Sequence, residues 1–182
     1  MCSYEIELNN KISKIKPVRS LCGHKINKYH IHANKVIPNI YMKDYNERMK
    51  SDEFYAVETF ASTGTGDTYE DIENCSHFMV NYNKEIKKTD IPNNSNQMYK
   101  LILKYYNTLA FTDRWLMGKN LIKNNKKELL ETKNINKYLN NLNKSLIINK
   151  YPPIYDLDKK SYSSQFEETI YIDETKTIIL SK

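Results

Sequence analysis

EFYAVETF, running from Glu53 to Phe60, is the stretch on which the fold turns. Read as a strand, it puts Phe54, Ala56, Glu58 and Phe60 on one face and Tyr55, Val57 and Thr59 on the other. A carboxylate facing an apolar interior is expensive unless a cation or several donors meet it. Periodicity leaves two partners open for Glu58: a metal ion, or an arginine such as Arg48 or Arg114. The residues that follow, STGTGD (Ser62 to Asp67), read as a flexible loop. They resemble a phosphate loop only superficially, because the Lys-Ser/Thr pair is absent and no helical pattern follows.

Upstream, Tyr4 to Leu8 and Lys11 to Val18 alternate apolar and polar residues around Asn9-Asn10, which predicts a β-hairpin. His24 then sits on a connection or at the start of a new strand. Downstream, Ser95 to Leu116 reads as a helix, with Met98, Leu101, Ile102, Tyr105 and Leu109 at three- and four-residue steps. Asn120 to Leu130 and Asn134 to Ile148 read as two further helices, and Tyr151-Pro152-Pro153 stops them. Gln165 to Ile172 and Lys176 to Leu180 form a closing hairpin around Asp173-Glu174. Strands, a helical block and strands again make an α/β or α+β body with a helical insertion.

Composition narrows the classes. The chain has 182 residues, a net charge of +6 and fifteen tyrosines, enough for a real core. Its lysines are scattered among acids, and the run from Lys119 to Lys127 reads as the wet face of a helix, so nucleic-acid binding is the minority reading. Cys2, Cys22 and Cys75 are odd in number and widely spaced, which argues against a disulfide framework. No signal-type or membrane-length apolar run is present, and a cytoplasmic, reduced protein without a membrane or DNA partner is expected.

Local patterns leave several roles open. His24 and His32 are too far apart for a one-turn metal pair, and His30 shares a strand face with His32. The pair Cys75 and His77 favours a structural role over metal binding. Glu167 and Glu168 point to opposite faces of one strand, and the pattern does not choose between them. No nucleophilic triad is evident.

Six ordered blocks together resemble type 2 methionine aminopeptidases: EIELNNKISKIKPVRSLCGHKINKYHIHANKVIP (Glu5 to Pro38), FYAVETFASTGTG (Phe54 to Gly66), ENCSHFM (Glu73 to Met79), NTLAFTDRWL (Asn107 to Leu116), YPPIYD (Tyr151 to Asp156) and SYSSQFEETI (Ser161 to Ile170). The resemblance implies the pita-bread fold, with this chain as its second half. Residues 1–74 and 150–182 would form the catalytic body, and 75–149 the helical insertion that distinguishes type 2 from type 1. By motif, His24, Glu58 and Glu167 match metal ligands, with Glu58 also the general base and Glu167 preferred over Glu168. His32 matches a histidine that contacts the scissile amide. His77 and Tyr151 match the lining of the methionine pocket.

The implied cofactor is a pair of divalent ions, Mn, Co, Fe or Zn, which would activate a shared water to remove the initiator methionine from nascent polypeptide N-termini before a small second residue. The ribosome is an implied partner. Departures accompany the match. The family pattern adds two aspartate ligands and a further histidine, and Met1 to Gly23 contains neither residue type, so the metal pair is expected to be incompletely ligated here and the isolated chain inactive. Asn27 and Asn34 stand where the family usually has Gly. A half sheet would leave strand edges unpaired, which points to a longer gene product. The competing expectation is a non-catalytic relative that binds ribosomes or RNA. Retention of His24, Glu58 and Glu167 together argues against it.

Overall fold

Ten residues of one strand carry most of the sheet. In the computed structural model, which describes residues 4–123 and 126–181, the chain opens with β1 (Glu5–Leu8) and β2 (Lys11–Lys14). Asn9 and Asn10 both take positive φ in the turn between them, 53° and 61°, the backbone that a tight hairpin requires and asparagine tolerates. Then come β3 (Lys16–Pro17), β4 (Cys22–Ile26), β5 (Val36–Pro38), β6 (Glu53–Ser62) and β7 (Thr68–Glu70). A second group follows: β8 (His77–Val80), α1 (Asn96–Tyr105), β9 (Phe111–Thr112), β10 (Asn120–Lys123), β11 (Lys126–Leu129), α2 (Thr132–Lys144) and β12 (Ile148–Tyr151). The chain closes with β13 (Ile154–Asp156), β14 (Ser163–Ile172) and β15 (Thr177–Ile179).

These elements fall into two units, 1–70 with 154–182, and 71–153. The first is built on an antiparallel sheet ordered β15-β14-β6-β4-β5, with β3 also pairing with β6. Strand β6 is paired with β14 along its whole length, from Glu53↔Ile172 to Ser62↔Ser163. On its other side, β4 runs antiparallel in the register His24↔Ala56. The two faces of β6 do not bury as the alternation suggests. Tyr55 and Ala56 are buried, whereas Phe54 is 44% exposed and Phe166, on β14, is 66% exposed. Neither face is therefore uniformly sealed: Ala56 is buried on the Phe54 face, and Phe166, opposite Thr59 in the register, is exposed on the Tyr55 face.

Behind Tyr55 lies a buried ionic knot. Lys25 and Lys35 both donate to the Glu53 carboxylate, at 2.7 Å each. The Lys50 backbone N–H donates at 2.9 Å and the Tyr55 hydroxyl also donates. Burial alone would raise the Glu53 carboxyl, but the donors from Lys25, Lys35, Tyr55 and Lys50 outweigh it and hold the group well below the usual carboxylate range. The loop STGTGD is equally well tied. Asp156 accepts from the Thr65 and Gly66 backbone N–H groups at 3.0 and 2.8 Å, and from Ser62 Oγ at 2.8 Å. The expected flexible loop is thus a latched one, and its latch comes from a residue ninety positions downstream in sequence.

The second unit has a three-stranded sheet, β12-β8-β9, and a separate β10–β11 hairpin beside its two helices. Helix α1 buries Met98, Leu101 and Ile102, and α2 buries Ile135, Tyr138, Leu139 and Leu142, each at the spacing of one helical stripe. The long helix expected from Ser95 to Leu116 is shorter. It stops at Tyr105, Asn107 takes φ 48°, and Leu109 is 64% exposed rather than on the buried stripe. The helix expected over Asn120 to Leu130 is instead the hairpin β10–β11, in register from Asn120↔Leu129 to Lys123↔Lys126. Charged residues fit either state. Asn124 and Asn125 lie outside the described residues. Helix α2 begins and ends earlier than expected. Asn134 accepts from the Glu131 N–H at 2.8 Å at its start, and Leu146, at φ 57°, turns the chain into β12.

Candidate functional site

Gly23 explains how a histidine can stand beside the centre of β6. A Cβ there would lie 2.6 Å from the Ala56 carbonyl oxygen and 3.0 Å from the Glu58 nitrogen, so only glycine lets β4 approach this closely. The next residue, His24, is 7% exposed, and its Nε2 lies 3.0 Å from Glu58 Oε1. Glu58 is directly opposite Glu167 in the β6–β14 register. Two carboxylates facing each other repel unless something intervenes, and Gln165 does. Its amide nitrogen is 3.3 Å from Glu58 Oε2 and 3.1 Å from Glu167 Oε2. Gln165 was not singled out as a site residue from the sequence. Its signal was present all the same, since it lies two residues before Glu167 and so on the same strand face.

The electrostatics follow from this crowding. Burial raises the Glu58 carboxyl above its ordinary value, and the like charge of Glu167 raises it further. His24 and the Gln165 amide oppose the shift. His32 packs edge-on against His24, with ring centroids 4.4 Å apart. Its side chain reaches the surface, yet the protein packed around the ring lowers its pKa and the neighbouring His24 lowers it further. A neutral imidazole is favoured there, able to donate from one nitrogen and accept at the other. His30 does not share a strand with His32. It bridges back to Asn27 just beyond the end of β4.

In the second unit, His77 and Tyr151 face each other across β8 and β12. Ser76 Oγ lies 3.1 Å from His77 Nδ1, and the Cys75 thiol donates to the His77 carbonyl oxygen at 3.3 Å. Cys75 therefore engages the backbone of His77 rather than its ring.

The donor set of the first unit, one imidazole and two carboxylates, is of the type that binds divalent ions. As the side chains stand, they form the pair His24–Glu58 and the pair Glu58–Glu167, the latter linked through Gln165. Among the described residues, no group of three or more His, Cys, Asp or Glu side chains stands close enough to hold a metal ion. These residues do not by themselves fit a dimetal centre.

No family model matches the chain. Individual proteins do. It is 42% identical over 182 residues to methionine aminopeptidase 2A of Arabidopsis thaliana, covering all of this chain and 38% of that one. It is 38% identical over 185 residues to methionine aminopeptidase 2 of Dictyostelium discoideum, again covering all of this chain and 38% of the relative. Against methionine aminopeptidase 2 of Encephalitozoon intestinalis, the identity is 36% over 180 residues, covering 99% of this chain and 46% of that one. The chain thus spans about two fifths of the length of the curated relatives it matches. A solved structure of a thermophilic Arx1 superposes with a TM-score of 0.70 at 15% identity, over 91% of this chain and 40% of that one, and it shows the fold to be of the pita-bread type. Over its whole length, this chain is a relative of the type 2 methionine aminopeptidases.

Proposed function

We propose that this chain is part of a methionine aminopeptidase that removes the initiator methionine from nascent polypeptides with a small second residue. The observation that carries the reading is the meeting of Glu58, Glu167 and His24 on three neighbouring strands, in a chain whose relatives bear that name. In this reading, His24, Glu58 and Glu167 contribute to a divalent-metal centre of Mn, Co, Fe or Zn, whose further ligands lie outside the described residues. Glu58, with its raised carboxyl, is the proton acceptor of the site. His32, kept neutral, hydrogen-bonds the scissile amide, and Gln165 holds the two carboxylates in register. His77 and Tyr151 line the pocket for the methionine side chain, and 75–149 is the insertion of the type 2 enzymes. The setting is the cytoplasm, at or near the ribosome. Among the described residues, no helix is long and apolar enough to cross a membrane.

Complementation tests this directly. The chain would be mixed with the separately expressed part of the Arabidopsis relative that it does not cover, and methionine release from a Met-Ala-Ser peptide followed with added Mn. The chain alone should release none. The mixture should turn over, and Glu58→Gln or Glu167→Gln should abolish that turnover. Activity of an assembled mixture that ignores Glu58→Gln would overturn the assignment, and steady turnover by the chain alone would overturn the need for ligands from elsewhere.

A further inference from the structure

The net charge of the chain is confined to one of its two units. Fourteen Lys and Arg stand against seven Asp and Glu in 71–153, whereas the rest of the chain holds fourteen against fifteen. The whole excess therefore belongs to the second unit, in a form that attracts polyanions.

At the C-terminal end of α1, this charge meets exposed aromatic surface. Tyr105 is 52% exposed and Trp115 is 55% exposed. The ammonium groups of Lys119 and Lys104 lie 4.2 and 5.3 Å from the centroid of the Tyr105 ring, held there by cation–π attraction. Arg114, beside Trp115, is exposed. The patch is anchored rather than loose. The Tyr106 ring lies 5.0 Å from that of buried Phe111, at an interplanar angle of 12°, and 6.0 Å from that of Trp115. The Tyr106 hydroxyl also donates to the Trp115 carbonyl at 2.9 Å. A ladder of rings thus runs from buried Phe111 through Tyr106 to the exposed indole of Trp115, and the two lysines flank the Tyr105 ring next in sequence to Tyr106.

Exposed rings among cations are the two elements of single-strand recognition: unpaired bases stack on the rings while lysine and arginine neutralise the phosphates. A duplex keeps its bases stacked internally and would leave the rings unused. An acidic peptide would use the cations and leave the indole idle. We propose that the surface formed by Lys104, Tyr105, Arg114, Trp115 and Lys119 binds single-stranded RNA, with a base stacked on Trp115. The proposal does not depend on the aminopeptidase reading, since none of these residues belongs to that site.

Trp115 is the only tryptophan of the chain, so its fluorescence reports the patch. The full 182-residue chain would be titrated with a twelve-nucleotide oligo-U, with a duplex RNA of equal length and with polyglutamate, at several salt concentrations. Oligo-U should quench Trp115, and the log–log slope of affinity against salt should be about −2 for three cations on a single strand. The double variant Lys104→Glu, Lys119→Glu should weaken oligo-U binding by at least about tenfold. Lys133→Glu with Lys137→Glu, the same charge change on the exposed face of α2, should weaken it less, with far-UV circular dichroism of both variants unchanged. The absence of quenching by oligo-U would overturn the proposal. So would equal losses in the two double variants, or equal quenching by duplex or polyglutamate.

Discussion

Fifteen buried apolar side chains form one continuous cluster in 71–153, among them Phe78, Met98, Ile102, Phe111, Leu139 and Leu142. In the sheet unit, the described buried apolar residues are Val18, Tyr55, Ala56 and Ile170, and His24, Lys35, Glu53 and Ser62 are buried with them. One unit is held by hydrophobic burial, which is non-directional and tolerant of detail. The other is held by strand pairing and a few buried charged groups whose partners must all be present. The same unit leaves Phe54, Phe166 and Tyr41 open to solvent, the last at 88%. The unit that carries the candidate chemistry is therefore the one with the less self-sufficient core.

The largest expected effect breaks the ionic knot. Glu53→Gln leaves buried Lys35 and half-buried Lys25 without a counter-charge and should destabilise the sheet unit by about 3–5 kcal/mol, read by urea unfolding followed through hydrogen exchange of β6 amides. The sign with pH follows from the depressed carboxyl. Its contribution is complete above the unfolded value near 4.3 and is lost as pH falls below it. Acid should thus open β4–β6 before it opens α1 and α2, and simultaneous loss would contradict the division of labour between the units. Next comes Leu142→Ala in the apolar cluster, with an expected cost of roughly 2–5 kcal/mol. That cost should hardly change with salt or between pH 7 and 4, and a strong salt dependence would blur the contrast. The smallest effect has the opposite sign. The raised Glu58 carboxyl is strained in its charged form above its pKa, so Glu58→Gln should leave thermal stability at pH 7 unchanged or slightly higher. A clear loss of stability would mean that Glu58 serves the fold rather than the site.

Much of this was legible in the sequence because short periodicities report local structure well. The β1–β2 hairpin, the strand through Glu58, the closing β14–β15 hairpin and the buried Met98, Leu101 and Ile102 of α1 follow from residue spacing, whereas Tyr105 and Leu109 of the same expected stripe are exposed. The hairpin at Asn120 to Leu129 did not, because a basic, polar run fits a wet helix face and an exposed ribbon equally well. The burial along β6 is only partly readable for a related reason. Alternation separates two faces but does not say how far each is covered, and here both are mixed: Tyr55 and Ala56 are buried, whereas Phe54 and Phe166 are exposed. The pairing of His24 with Glu58 joins residues far apart in the chain and depends on the β4–β6 register, which no local pattern encodes. The latch from Asp156 to Gly66 is invisible for the same reason.

The strands at the two ends of the excursion to the second unit, β7 and β13, pair with each other from Thr68↔Asp156 to Glu70↔Ile154. The chain thus departs and returns at neighbouring positions, about 5 Å apart as adjacent strands are. Once those two strands are zipped, the entropy of closing the intervening loop grows only with the logarithm of its length. The sheet unit is consequently almost indifferent to how many residues lie between Glu70 and Ile154. A segment of that kind can lengthen, shorten or acquire a new surface over evolutionary time while the strands that bear His24, Glu58 and Glu167 keep their register.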